Sequence, residues 1–241
     1  LISERTEENK DAPWAHPNSR FTTQLDNVPN IAVDYNEPQG VPIDGINFGG
    51  RTRDREPLIR AMHDLAEGVY DGLTLGAEAT FAAEGKEGEL RYDPMSMRPF
   101  MSYPEGKYAA HWHKIVGQAV DQPIFAHVNW FQRDPDDGHF LWPGYRENLR
   151  PLLWLMQLKD GEVKGRDTAV GIVPTEDELN LDGLDMPQED LDTILSINVP
   201  RWQQEMEHRT THLEQFDGLP EEIWVAHRRV AAALAEESTE E

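Results

Sequence analysis

Apolar residues in the 241-residue chain come in short runs broken by Pro, Gly, Asn and Asp, and their spacing changes between alternation and a helical period along the chain. Ile43 to Phe48 brings apolar residues up to Gly49-Gly50-Arg51, which predicts a strand ending on a tight glycine turn. Leu58, Met62 and Leu65 have helical spacing behind Pro57, so a small amphipathic helix is expected over 57–67, with a strand over 69–75. A second helical pattern spans 107–120. The run after Pro123, Ile124 to Asn129, reads as a buried strand. Glu147 to Lys159 reads as a helix that starts near Glu147 or Asn148, because Pro151 is tolerable only in the first turn, where its missing N–H is not needed. Ala169 to Val173 is a short apolar strand stopped by Pro174. From Pro187 the chain is helical and acidic over 188–196, 200–216 and 219–237, the last opening on Pro220-Glu221-Glu222, which suits the helix dipole. Residues 238–241 read as a disordered tail, 1–13 as a polar lead-in and 23–42 as loop. No internal repeat is present. The class this predicts is α/β, with a mixed sheet, flanking helices and a helical C-terminus.

The chemistry concentrates in His127 to Arg150, HVNWFQRDPDDGHFLWPGYRENLR. A strand delivers Trp130 and Phe131 to its end, Asp134-Pro135-Asp136-Asp137-Gly138 turns the chain, and a loop brings back Phe140, Trp142 and Tyr145 ahead of the helix. Aromatic faces supply stacking area at low entropy cost, and Asn148 adds a donor pair and an acceptor for reading a ligand's edge. Two readings follow from the residues: a slot for a flat ligand, or a set of aromatic plugs that fasten the loop to the core.

Charge narrows the field of partners. With 22 basic and 45 acidic residues the net charge is -23, which repels nucleic acid and anionic membrane. Cysteine is absent, so disulfides and thiolate metal sites within the chain are excluded, in keeping with a reducing cytoplasmic setting. There is no apolar run of membrane-spanning length and no signal-peptide pattern. The chain opens on Leu1, which reads as a later portion of a longer polypeptide. His111 and His113 lie two apart and face different sides of a helix, against a metal pair; His208 and His212 have i, i+4 spacing without a third ligand and are expected on the surface.

Several motifs occur together in one order: HPNSRF at 16–21, GVPIDGINFGGR at 40–51, AEATFAAEGK at 77–86, DPMSMRPF at 93–100, and HVNWF followed by FLWPG. This set resembles GTP-dependent phosphoenolpyruvate carboxykinase from about residue 12 onward. The resemblance implies the C-terminal portion of a two-lobed carboxykinase that converts oxaloacetate and GTP to phosphoenolpyruvate, carbon dioxide and GDP. It implies that Asn18, Ser19 and Arg20 bind the organic acid, with Arg20 and Arg51 catalytic and also in contact with the nucleotide. Trp130, Phe131, Phe140, Tyr145, Arg146, Glu147 and Asn148 correspond to the guanine-binding segment, and Glu78, Ala79, Thr80, Ala82, Ala83 and Glu84 to a lid over 79–88. Thr52 stands where the family often has a second arginine, Phe81 where it has a small residue, and Arg146 where it has a glycine. The phosphate loop and the ligands of Mn2+ and Mg2+ lie upstream in the family, so no metal site is expected here and the portion alone is expected to be inactive. The resemblance also implies a cytoplasmic monomer with a binding part over 14–180 and C-terminal helices over 181–237. The competing reading is a non-catalytic, aromatic-rich module that binds a nucleobase or sugar.

Overall fold

The computed structural model describes residues 6–7, 22–79 and 89–240. The chain falls into two compact units, one of Leu1–Pro42 with Ala79–Glu89, the other of Ile43–Glu78 with Leu90–Glu241. In the first, the described residues form a 3-10 turn at Leu25–Asn27 and a series of turns, with the Tyr35 hydroxyl donating to Asp26. The polar composition of 23–42 supplies little to bury, and the loop expected there is what forms.

The second unit is built on a five-stranded mixed sheet of β1 (Gly45–Gly49), β2 (Ile59–Ala61), β5 (Ile124–Val128), β6 (Arg166–Thr168) and β7 (Gly171–Val173), in the order β1-β5-β2-β7-β6. β1 and β5 are parallel, with Gly49 opposite Val128; the other pairings are antiparallel. A separate hairpin joins β3 (Gly76–Glu78) to β4 (Leu90–Tyr92). Side chains alternate across the sheet. Phe48 and Phe125 enter a core with α1 (Leu65–Leu73), α2 (Glu105–Val116), α5 (Val199–Leu213) and α6 (Glu221–Glu240), whereas Ile59, Ala61, Ala126 and Val128 enter a core with α3 (Leu149–Lys159) and α4 (Gln188–Leu195).

The helix expected over 57–67 and the strand over 69–75 are both wrong, and for one reason. Ile59–Ala61 is a central strand buried on both faces, where an apolar run carries no usable period. The helix starts later, with Asp64 as N-cap accepting from the Glu67 N–H, and runs through 69–73. Its interior glycines serve close packing. A Cβ on Gly68 would stand 2.3 Å from Phe125 Cγ, and one on Gly72 would stand 2.4 Å from Met95 Sδ. β6, which makes 169–173 one arm of a hairpin, was not foreseen, and α6 runs through Glu240, past the expected end at 237. Pro151 does fall in the first turn of α3.

Two histidines give stability a pH dependence. His63 bonds Glu67 (2.6 Å) and Asp167 (2.6 Å), and the Glu67 carboxylate raises its pKa to about 9. His227, buried between Tyr70 (3.0 Å) and Thr210 (2.9 Å), is pushed by burial down to about 4. For His63 the folded pKa lies above the unfolded value of about 6.5, so its contribution is complete below pH 6.5 and is lost as pH rises through 9. For His227 the folded pKa is the lower one, so its contribution is complete above pH 6.5 and is lost as pH falls toward 4. The urea midpoint is expected to be highest near pH 6.5 and to fall on both sides, with His63→Ala flattening the alkaline limb. A midpoint equally steep above pH 6.5 in that variant would exclude His63 as the source.

Candidate functional site

The parallel neighbours β1 and β5 end side by side, the location at which open α/β sheets place ligands. Beyond β1 the chain makes the Gly49-Gly50-Arg51 turn. Glycine at 50 is demanded by close approach: a Cβ there would stand 2.5 Å from the Gly76 carbonyl oxygen and 3.2 Å from His127 Nε2. Beyond β5, Asn129 fastens the two exits together. Its Nδ2 donates to the carbonyls of Thr52 (2.8 Å) and Glu56 (3.1 Å), and its Oδ1 accepts from the Phe131 N–H (3.1 Å). Asn129 is buried, so this junction is rigid.

Arg51 is the cation that this junction presents. Its guanidinium lies 5.2 Å from the Phe131 ring centroid and its Nε donates to the Glu78 carbonyl (3.4 Å). Glu78 in turn receives the Arg53 N–H on Oε1 (2.8 Å) and the Arg53 guanidinium on Oε2 (3.1 Å). Thr52 is buried and bonds the Glu56 N–H through its hydroxyl (3.2 Å), so the residue that replaces a customary arginine is a packing element of the turn.

The aromatic residues divide into anchors and open faces. Trp130 packs against the second core, and Trp142 is 1% exposed within it. Phe131 and Phe140 are partly exposed and meet edge to face, with ring centroids 6.3 Å apart. One face of Phe140 is covered by the Arg133 guanidinium, 3.9 Å from its centroid. Tyr145 stands 92% exposed. It lies between Gly144 (φ 82°) and Arg146 (φ 87°), so Arg146 occupies the left-handed region that the customary glycine would occupy without strain. Glu147 is held by Arg150 (2.6 Å), and Asn148 accepts from Trp142 Nε1 (2.9 Å). Two tryptophans are thus plugs, while Phe131, Phe140 and Tyr145 are exposed.

Beneath the turn lies a feature that the sequence reading missed. Arg60 and His127 sit opposite each other on β2 and β5, and both reach Asp71 of α1, at 2.5 and 2.9 Å. Glu56 bonds Arg60 (2.8 Å) and Arg55 (3.1 Å), while Glu205 bonds Arg55 (2.5 Å) and Arg209 (3.0 Å). Every one of these side chains is at most 5% exposed, and Trp202 lies against the Arg60 guanidinium at 4.8 Å. Desolvation opposes the ionised carboxylates, but the arginines overcome it: Arg60, with His127, holds Asp71 well below the usual range, and Arg60 and Arg55 help to lower Glu56 to about 2. The signal that pointed here is a charged residue in a run otherwise built for the core, as in PLIRAM and GVYDGL. His212, expected on the surface, belongs beside this group. It is 3% exposed, stacks on Tyr92 at 4.3 Å and bonds the Leu73 carbonyl, because α5 turns that side toward α1; His208 is exposed as expected.

Asn18, Ser19, Arg20, Thr80, Ala82, Ala83 and Glu84 lie outside the described residues; Ala79 is buried, its N–H on the Glu89 carbonyl (2.8 Å). Among the described residues Asp134, Asp137 and His139 bring three ligand-type atoms, two carboxylate and one imidazole, within 4.8 Å of one another. Asp134 Oδ1 already receives the N–H groups of Asp136 and Asp137, and His139 is bound to Asp137 and Asp190.

The sheet, the glycine turn with its arginine, and the aromatic loop belong to an α/β domain, and comparison gives its family. A family model described as phosphoenolpyruvate carboxykinase C-terminal P-loop domain matches residues 2–233, and the chain belongs to the GTP-dependent phosphoenolpyruvate carboxykinase family. It is similar to a protein of Renibacterium salmoninarum named phosphoenolpyruvate carboxykinase [GTP], with 41% identity over 214 residues, covering 88% of this chain and 35% of that protein. Proteins of the same name from Thermoplasma volcanium (40% over 211 residues, 88% and 35%) and Corynebacterium kroppenstedtii (39% over 219 residues, 90% and 35%) are also similar. The chain spans 35% of the length of these curated relatives. Membership of an enzyme family does not favour the non-catalytic module.

Proposed function

We propose that the chain is the part of a GTP-dependent phosphoenolpyruvate carboxykinase that holds the guanine base and contributes an arginine to the phosphates. The observation that carries this is the placement of Arg51 over the ring of the partly exposed Phe131 at the paired ends of β1 and β5. A cation and a stacking face within one rigid junction suit a nucleotide, whose charge and ring must be bound together. In the intact protein oxaloacetate loses carbon dioxide to leave an enolate, whose oxygen takes the γ-phosphoryl of GTP; phosphoenolpyruvate and GDP remain. Arg51 faces the phosphoryl groups and Arg20, with Asn18 and Ser19, the organic acid, a role suited to a permanently charged fork. Closure of the 79–88 lid keeps water from the enolate. The Mn2+ and Mg2+ that the family resemblance implies are assigned to the remainder of the protein. The setting we assign is a cytoplasmic monomer, and no helix among the described residues is long and apolar enough to cross a membrane.

In the base slot Phe131 and Tyr145 hold the purine, Phe140 meets its edge, Trp130 and Glu147 brace the loop, and Arg146 stands at the rim. Phe131→Ala and Tyr145→Ala, made in the intact protein, are each expected to raise the Michaelis constant for GTP by an amount corresponding to about 1–3 kcal/mol of lost stacking. Asn148→Ala is expected to reduce the GTP-over-ATP ratio while leaving the stack in place. Steady-state kinetics with both nucleotides separates these roles, and unchanged GTP kinetics in both aromatic variants would return the loop to core packing.

A further inference from the structure

Asn148 occupies the N-cap position of α3 without capping it. An N-cap asparagine ordinarily has extended backbone and accepts from the second or third N–H of its helix. Here its backbone is helical (φ -61°, ψ -18°) and no side-chain cap bond forms. Both capping donors have been withdrawn: the third position is Pro151, which has no N–H, and the second, Arg150, gives its N–H to the Glu147 carbonyl (3.0 Å). The side-chain amide is therefore free for another task.

Its Oδ1 accepts from Trp142 Nε1 at 2.9 Å. An indole N–H only donates, so the amide can face Trp142 with its oxygen and never with its nitrogen. Trp142 is 1% exposed and locked among the aliphatic and aromatic residues of the second core, which fixes the donor in place. Nδ2 is left as the arm of the amide with no acceptor among the described residues, at the mouth of the loop that carries Tyr145.

We infer that Trp142 is a positioning residue for purine selection: its indole N–H fixes the Asn148 amide so that the base slot presents a donor. A 6-oxopurine meets that donor with an acceptor, whereas a 6-aminopurine sets donor against donor. Were the indole N–H absent, the amide could turn over and offer Oδ1 to the amino group instead. The inference rests on the base-slot assignment above and adds that selectivity resides in a buried residue that does not touch the nucleotide.

The test measures dissociation constants of GDP and ADP with the intact protein by calorimetry, and reads only their ratio. Trp142→Phe keeps the ring and removes the N–H; the guanine preference is expected to fall about tenfold, the scale of one lost hydrogen-bond discrimination. The double variant Trp142→Phe/Asn148→Ala is expected to show the same ratio as Asn148→Ala alone, because the tryptophan acts only through the amide. Should Trp142→Phe fail to fold, Asn148→Asp reads the same contact from the other side. One carboxylate oxygen would accept the indole N–H and the other would face the slot, moving the ratio toward ADP by about tenfold or more. A folded Trp142→Phe with an undiminished guanine preference, additive losses in the double variant, or an Asn148→Asp ratio like that of the parent would each overturn the inference. A parent protein without guanine preference would instead overturn the base-slot assignment on which it rests.

Discussion

Replacing Asp71 by alanine is expected to destabilise the protein by about 3–5 kcal/mol, the cost of removing one partner from a buried ion pair. Asp71 is 1% exposed and receives Arg60 (2.5 Å) and His127 (2.9 Å), with Arg209 at 3.6 Å. Taking it away leaves those donors short of an acceptor in a low-dielectric interior. A loss of that size is a large share of the roughly 5–15 kcal/mol by which domains are stable. The pair itself need not be stabilising relative to an apolar core, so a double replacement of Asp71 and Arg60 by leucine is expected to be less damaging than Asp71→Leu alone. Urea midpoints of the three variants check this, and equal midpoints for Asp71→Ala and the parent would show that the group is dispensable. Acid should reproduce the effect: the folded pKa of Asp71 is depressed, so its contribution is present above the ordinary carboxylate pKa and is lost as pH falls toward the folded value.

How much of this was readable in the residues depended on which physical signal each part leaves. β5 and α3 were readable because Pro123, the apolar run and Pro151 each restrict the backbone locally. The 57–75 region was not, since whether Ile59 belongs to a helix or a buried strand is decided by what packs on both faces of its segment, which is tertiary information. Gly68 and Gly72 show the same limit: a glycine chosen for contact with Phe125 or Met95 looks identical in sequence to one chosen to break a helix. The residues around the turn were found through motif order, while the buried ion group left only the trace of single charges inside apolar runs, and which partners they meet is tertiary information. The missing cap at Asn148 lies between these cases. The Asn-x-x-Pro spacing over 148–151 announces that the third capping donor is absent, and only the structure supplies the tryptophan that claims the amide.

Arg51→Ala separates the chemistry from the scaffold. In the intact protein it is expected to lower turnover by roughly 10²-fold or more, as removal of a positioned charge from a transferring phosphoryl group generally does. The affinity for GTP should fall more than that for oxaloacetate, because the guanidinium stands over the ring of Phe131 and on the carbonyl of Glu78, on the side of the junction proposed for the nucleotide. Folding should scarcely change: Arg51 is partly exposed, and the turn is held by Asn129, Thr52 and the packing of Gly50 against the Gly76 carbonyl. Arg51→Lys restores the charge but not the planar fork, so it should recover only part of the rate. Kinetic constants for both substrates, taken with urea midpoints, distinguish the outcomes. A near-normal turnover in Arg51→Ala would make this side chain a surface charge resting on a phenylalanine, whereas a slow enzyme with an unchanged midpoint assigns it to the reaction.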